Sequence, residues 1–181
     1  MAMVLEKVER RLGEKLFLKG DRCIGPKCAV VRRSYPPGAH GKSRRRRREG
    51  SEYGVLLREK MKMRFVYNLD DRDVKAYAER AALKKGVFHQ NMLRAIEARL
   101  DNTVFRAGLA ASRRQARQAV GHGHILLNER KVKVPSYEVR TGDAVRVRPG
   151  SLKSGIFAQM RDRLRSFEPP RWMTLDKESL S

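Results

Sequence analysis

The stretch from Ser112 to Asn128, SRRQARQAVGHGHILLN, concentrates side chains that could do chemistry. At helical spacing Arg113, Arg114 and Arg117 share one face, and His122 and His124 follow on either side of Gly123. Three chemistries suit such a set. A metal centre needs more ligands converging on the two imidazoles, and nothing in the spacing brings His40 or His89 near. Acid–base catalysis needs a carboxylate partner and a pocket, and neither is visible. The third is a surface for a polyanion. Crowded guanidinium groups repel one another unless an anion sits among them, and their planar forks match phosphate oxygens in pairs. Ser112 and Gln115 form an S-x-x-Q capping box, so the helix opens there and adds its positive dipole end to the same place. His122 and His124 then lie at the rim, donating to or stacking on a polynucleotide. A solvated charged face is the plain alternative, and the charge of the whole chain counts against it.

That charge is large. The 181 residues include 42 Lys and Arg against 20 Asp and Glu, a formal net charge of +22. Such a chain repels itself unless a polyanion neutralises it. Residues 1–66 carry 19 basic and 7 acidic side chains, 67–93 are nearly neutral at +1, 94–150 carry +7 and 151–181 carry +2. Two basic zones thus flank a neutral scaffold. A mean hydropathy of −0.64 and the lack of any run near the roughly 18 apolar residues of a membrane span disfavour a membrane. The first residues show no apolar signal region, and their glutamates disfavour a transit peptide. Cys23 and Cys28 are too few for a disulfide framework, which fits a reducing cytoplasm. No Gly-rich phosphate loop or paired-carboxylate site appears, so the chain does not read as an enzyme.

These side chains need elements to hold them. Residues 1–50, rich in Gly, Pro and Arg, read as an extended basic arm ordered mainly by its partner, ending in the unbroken run Arg44, Arg45, Arg46, Arg47, Arg48. A helix is predicted over 51–67, with Tyr53, Leu56, Leu57 and Phe65 apolar and Arg58, Lys60, Lys62 and Arg64 on a basic side. After a turn at Asn68–Asp70 comes a second helix with Val74, Tyr77, Ala78, Ala81 and Ala82 on one stripe. A third is predicted from Asn91 to Ala107 through Leu93, Ile96, Leu100 and Val104, and the arginine helix follows. Beyond His124 the period becomes two, and HILLN, KVKV and AVRVR read as short antiparallel strands. A last helix over Leu152–Phe167 and one more strand in RWMTLD complete the reading. The fold class is α+β: an arm over 1–50, a small all-α domain over 51–90 completed by 168–181, and an inserted module over 91–167. That module has a helix–turn–helix-like pair, an antiparallel sheet and a following helix. Lys131, on the middle strand, joins the candidate RNA-binding residues.

At this point the residues match a family. RLDNTVFRAGLAASRRQARQAVGHGHILLNERKVKVPSY resembles the RNA-binding signature of the small-subunit ribosomal protein S-four family, and LFLKGDRC, SYPPGAHG, YGVLLREK and PRWMTLD resemble its other segments in order. The resemblance implies a primary rRNA-binding protein that grips a junction of the 5′ domain and nucleates assembly. It also implies a place by the mRNA entrance channel beside ribosomal proteins S-three and S-five. Arg99, Arg106, Arg113, Arg114, Arg117, His122 and His124 fall in its RNA-facing module, and Arg44 to Arg48 fall where the family's arm reaches toward mRNA. Three departures stand out. Some members bind zinc through two cysteine pairs; here only the second exists, as Cys23 and Cys28, with Glu6 and Glu9 near the place of the first, and a lost site is the favoured reading. The family's Asn-Gly hairpin is Asn128-Glu129, which leaves the turn type open. Ser181 falls before the family's usual C-terminal strand. The same module resembles those appended to RNA-modifying enzymes, but the residues outside it read as a basic arm and a few helices, not as a catalytic domain. A free-standing RNA chaperone or stress factor is the nearer rival.

Overall fold

The computed structural model describes residues 4–42 and 51–176. Its backbone divides into two compact units, with the boundary between Asp70 and Asp71.

The N-terminal unit begins with α1 (Leu5–Leu12), which ends at Gly13 in the left-handed region (φ 78°), where the Gly13 N–H donates to Glu9 O at 2.8 Å. A 3₁₀ turn at Gly20–Cys23, a short α2 (Ala29–Arg32) and α3 (Glu52–Val66) follow. The extended arm predicted for this region is therefore corrected over 4–32, which is folded around α1. The reason is physical. Glu9 and Arg10 face inward beside Val8, so two residues that read as solvent-facing occupy buried positions and hide the helical period. Glu9 Oε1 accepts the N–H groups of Leu16 and Leu18 at 3.1 and 3.2 Å, and Arg10 Nε donates to the carbonyls of Arg33 and Tyr35, both at 3.0 Å. The Arg10 guanidinium also lies 4.9 Å over the Tyr35 ring. Helix α3 starts where predicted, capped by Ser51 Oγ, which accepts from the Gly54 N–H, and it ends at the predicted turn with Asn68 at φ 53°. Its apolar residues do not form the expected core face: Tyr53 is 74% exposed and Leu56 63%.

The C-terminal unit opens with α4 (Asp71–Ala82), which buries Val74, Tyr77 and Ala81 of the predicted stripe, while Ala78 is half-buried and Ala82, at the helix end, is exposed. The predicted third helix is two, α5 (Phe88–Glu97) and α6 (Leu100–Arg106), broken at Ala98–Arg99. Arg99 is extended (ψ 140°), and the loop after the sheet docks into the break. There the Leu100 N–H donates to Tyr137 O at 2.8 Å, the Asp101 N–H to Pro135 O at 3.1 Å, and the Val139 N–H to Ala98 O at 2.8 Å. Leu93, predicted on the buried stripe, is exposed.

Helix α7 (Arg113–Gly121) leads into β1 (Ile125–Leu127), β2 (Arg130–Lys131) and β3 (Val145–Val147). The sheet is antiparallel in the order β2-β1-β3, with Leu127 opposite Arg130 on one side and Val145 on the other. Strand β2, at the edge of the sheet, stops at Lys131 and does not run on through the predicted KVKV, because the chain turns away to supply the carbonyls at the α5–α6 break. The predicted last helix is corrected to 3₁₀ turns at Pro149–Ser151 and Gly155–Phe157 followed by α8 (Met160–Arg165); Ser154, extended at ψ 141°, interrupts it. RWMTLD forms no strand among the described residues, though Met173 and Leu175 pack on the core. That core joins Leu100, Val104 and Leu109 to Ala116, Ala119 and Val120 of α7, to Ile125, Leu127 and Val147 of the sheet, and to Phe157, Met160 and Leu164. No helix of the described residues is long and apolar enough to cross a membrane.

Candidate nucleic-acid interface

The apolar stripe of α7 is entirely within the core, which fixes the direction of the opposite face. Ala116, Ala119 and Val120 have no exposed surface, and their small side chains let α7 sit close to α6. The helix start is held as the capping box predicts on one side: Ser112 Oγ accepts from the Gln115 N–H at 3.2 Å. On the other side Gln115 Oε1 reaches one residue further back, to the Ala111 N–H at 2.7 Å, while its Nε2 donates to Ile156 O at 2.8 Å. One side chain thus ties the N-terminus of α7 to the segment that carries Phe157.

On the outward side Arg114 is exposed, and Arg113 and Arg117 are half-buried. Arg113 is held on two sides. Its Nε donates to Asn102 Oδ1 at 2.7 Å, and its guanidinium lies 4.4 Å over the Phe105 ring. Arg106 is paired with Glu97, Nη2 to Oε1 at 2.6 Å and Nε to Oε2 at 3.1 Å.

At the far end of α7 the chain turns from helix to strand within three residues, His122 to His124. Gly123, at φ 72°, is the left-handed residue that ends the helix. A Cβ there would meet Lys131 Cε at 2.2 Å, because the Lys131 stem lies across the glycine. The lysine and the two histidines are thereby grouped at one junction. His122 is exposed, and its ring centroid is 5.9 Å from that of His124. His124 is half-buried, edge-on to Phe157, with Nδ1 2.9 Å from Ser151 Oγ. The ring is therefore held in place by a buried serine and an aromatic wall, not aimed at a carboxylate.

The β1–β2 hairpin settles its own turn. Asn128 and Glu129 both have positive φ, 48° and 64°, the geometry of a type I′ turn. The Asn128 amide donates to Asp143 Oδ1 at 2.8 Å and accepts from the Ala144 N–H at 2.9 Å, while Glu129 pairs with Arg146 at 2.9 Å. These side-chain bonds hold a glutamate where a glycine is the usual residue. The Arg140 N–H, together with Asn128, holds the Asp143 carboxyl below its ordinary pKa.

Other sequence-predicted residues have different surroundings. Arg99 is corrected out of the candidate set: it is 3% exposed, with Nε and Nη2 on the two oxygens of Asp101 at 3.0 and 2.8 Å and Nη1 on the Tyr77 hydroxyl at 3.0 Å. Burial alone would lower its pKa, but Asp101 and Tyr77 outweigh it, and the guanidinium stays charged. It misleads because a buried, paired arginine has the same letter as one that faces a ligand. Arg58 and Lys60 are exposed on α3. Lys62 is bound by Glu14 at 2.5 Å and Glu59 at 2.6 Å, which hold its pKa above the ordinary lysine value. Arg64 donates to Leu69 O at 3.3 Å, closing the end of its own helix. Arg44 to Arg48 lie outside the described residues. Sequence reasoning misses Asn102, Glu97 and Phe105. They meet Arg113 and Arg106 across a helix break and a turn, so no helical spacing signals them.

The cysteines do not fit zinc. Cys23 and Cys28 are both buried with free thiols, and burial pushes the Cys23 pKa up. Glu6 pairs with Lys19 and Arg22, and one oxygen of Glu9 is taken by two backbone N–H groups. The other Glu9 oxygen is buried without a hydrogen-bond partner. Among the described residues no three His, Cys, Asp or Glu side chains are placed to hold a metal ion.

Comparison with known proteins gives two family matches. Residues 5–97 match the ribosomal protein S4/S9 N-terminal domain, and residues 98–145 match the S4 domain. The chain is 47% identical over 172 residues to the small ribosomal subunit protein uS4 of Syntrophomonas wolfei, covering 95% of this chain and 81% of the relative. It is 48% identical over 169 residues to that of Halothermothrix orenii (93% and 80%) and 47% over 171 to that of Thermus thermophilus (94% and 81%).

Proposed function

The chain belongs to the small ribosomal subunit protein uS4 family, a non-enzymatic family of ribosomal structural proteins, and from that premise we propose how it acts. It is a primary binder of small-subunit rRNA that nucleates assembly of the 5′ domain. It lies by the mRNA entrance, beside ribosomal proteins S-three and S-five, and contributes to translational accuracy. The observation that carries this reading is α7. Its inner face is locked into an apolar core, so Arg113, Arg114 and Arg117 are presented together on a rigid support at a capped helix start. The His122–His124–Lys131 junction extends the same polar surface beyond the helix. Rigid guanidinium groups suit phosphates that are themselves fixed in a folded RNA. The five-arginine run, Arg44 to Arg48, suits a looser grip on mRNA backbone.

Copurification separates this reading from a free-standing RNA chaperone. The chain remains on small subunits at one copy each through a high-salt wash. Release of the whole population at moderate salt favours the chaperone.

A further inference from the structure

Behind the arginine face lies a chain of polar groups that the RNA-binding reading does not itself require. We propose that Glu97 and Asn102 are positioning residues that preset Arg113, and through Glu97 also Arg106, for phosphate. The proposal rests on the assignment of these arginines to RNA.

The geometry runs in one direction. Asn102 is 2% exposed, and its backbone N–H donates to Asp101 Oδ1 at 2.9 Å, so its position is set by the buried Arg99–Asp101 pair. Its side-chain NH₂ donates to Glu97 O at 3.2 Å and to Glu97 Oε2. A carboxylate accepts and never donates, so the amide nitrogen must face Glu97 and the amide oxygen must face the other way. That oxygen is the acceptor for Arg113 Nε. With Nε fixed by Asn102 and one face on Phe105, the guanidinium of Arg113 is held in one plane. Glu97 meanwhile holds the fork of Arg106 through both oxygens. One carboxylate, 24% exposed, thus orients two cations on neighbouring elements.

The sign of an effect distinguishes positioning from simple charge. A carboxylate beside a phosphate-binding surface repels the ligand, so removing it should tighten binding if its charge is all that matters. If Glu97 sets geometry, removing it frees two long side chains that must then be ordered on binding, and affinity falls.

The test measures binding of the full chain to a transcript of the small-subunit rRNA 5′ domain by filter retention, with circular dichroism as a folding control. Glu97→Ala and Asn102→Ala are each expected to weaken binding about 2- to 10-fold. Asn102→Ala is expected to add nothing in a chain that already carries Arg113→Ala. Tighter or unchanged binding by Glu97→Ala, or an Asn102→Ala loss that is the same with and without Arg113, overturns the proposal. Wild-type affinity in the Arg113→Ala chain overturns instead the assignment of Arg113 to RNA, and the positioning role falls with it. If Asn102→Ala does not fold, the direction of the Glu97→Ala change decides alone.

Discussion

Among the described residues of the N-terminal unit Glu9 is the most deeply buried, and Arg10 beside it gathers three backbone carbonyls. In the C-terminal unit the centre is an apolar cluster running from Leu100 to Leu164, and the buried charges, Arg99 and Asp101, neutralise each other at its edge. Both units bury charge, but to different ends. Glu9 and Arg10 replace missing apolar area by collecting backbone groups of loops that have no ladder of their own. Arg99 and Asp101 fix a break between two helices that an apolar core already holds. The arginines of α7 belong to a third category, carried on a helix that the core holds, with Arg113 also bonded to Asn102. What a basic residue does here depends on what lies beneath it, not on its place in the sequence.

Substitutions that remove one charge from each unit should separate the two designs. The largest effect is expected for Asp101→Ala, which leaves the Arg99 guanidinium buried and unpaired. That costs about 3–5 kcal/mol, read as a lowered denaturation midpoint with loss of amide protection in residues 71–176. A change under about 1 kcal/mol, the range of exposed pairs, would show that water reaches the pair. Next is Glu9→Ala, which strands the Leu16 and Leu18 N–H groups and is expected to cost about 3 kcal/mol, with faster amide exchange confined to residues 4–42. Treatment of the wild-type chain with a strong zinc chelator is expected to leave the same amides unchanged. A chelator effect equal to that of the substitution would mean that a metal, not Glu9, organises the unit.

The smallest effect concerns the hairpin. Asp143 is held below its ordinary value of 3.8 by the Arg140 N–H and by Asn128, so the folded form binds its proton more weakly than the unfolded one. Its contribution is therefore complete above that ordinary value and is lost as pH falls through the lower, folded one. An acid titration followed by NMR should show the Ala144 and Arg140 amides shifting only at the acid end, and Asp143→Asn should abolish that titration.

Much of this architecture is legible in the sequence, and the exceptions share a cause. Ser112 caps its helix where its spacing predicts, α3 begins beside Ser51 where a helix is predicted, Val74, Tyr77 and Ala81 bury as their period demands, and the change of period after His124 marks the sheet. The signature segment carries the family, and the α7 arginines lie on the polar side of a buried helix as their spacing predicts. What stays hidden is burial of charge. Glu9 and Arg10 disguise α1 as arm, and Arg99 with Asp101 disguises a helix break as a continuous helix, because periodicity counts apolar residues only. Pairings across a break, such as Arg113 with Asn102, leave no local spacing to read. The exposed Tyr53 and Leu56 show the converse: an apolar letter on a helix does not by itself make a core.

In the proposed role α7 presents its guanidinium groups to the phosphates of a folded rRNA. The most direct measurement is the salt dependence of binding to the 5′-domain transcript, wild type against Arg113→Ala, Arg114→Ala and Arg117→Ala combined. The slope of log affinity against log salt should fall by roughly 0.7–0.9 for each phosphate no longer neutralised, roughly 2.1–2.7 in all if each arginine neutralises one. An unchanged slope with the variant fully folded would contradict the account.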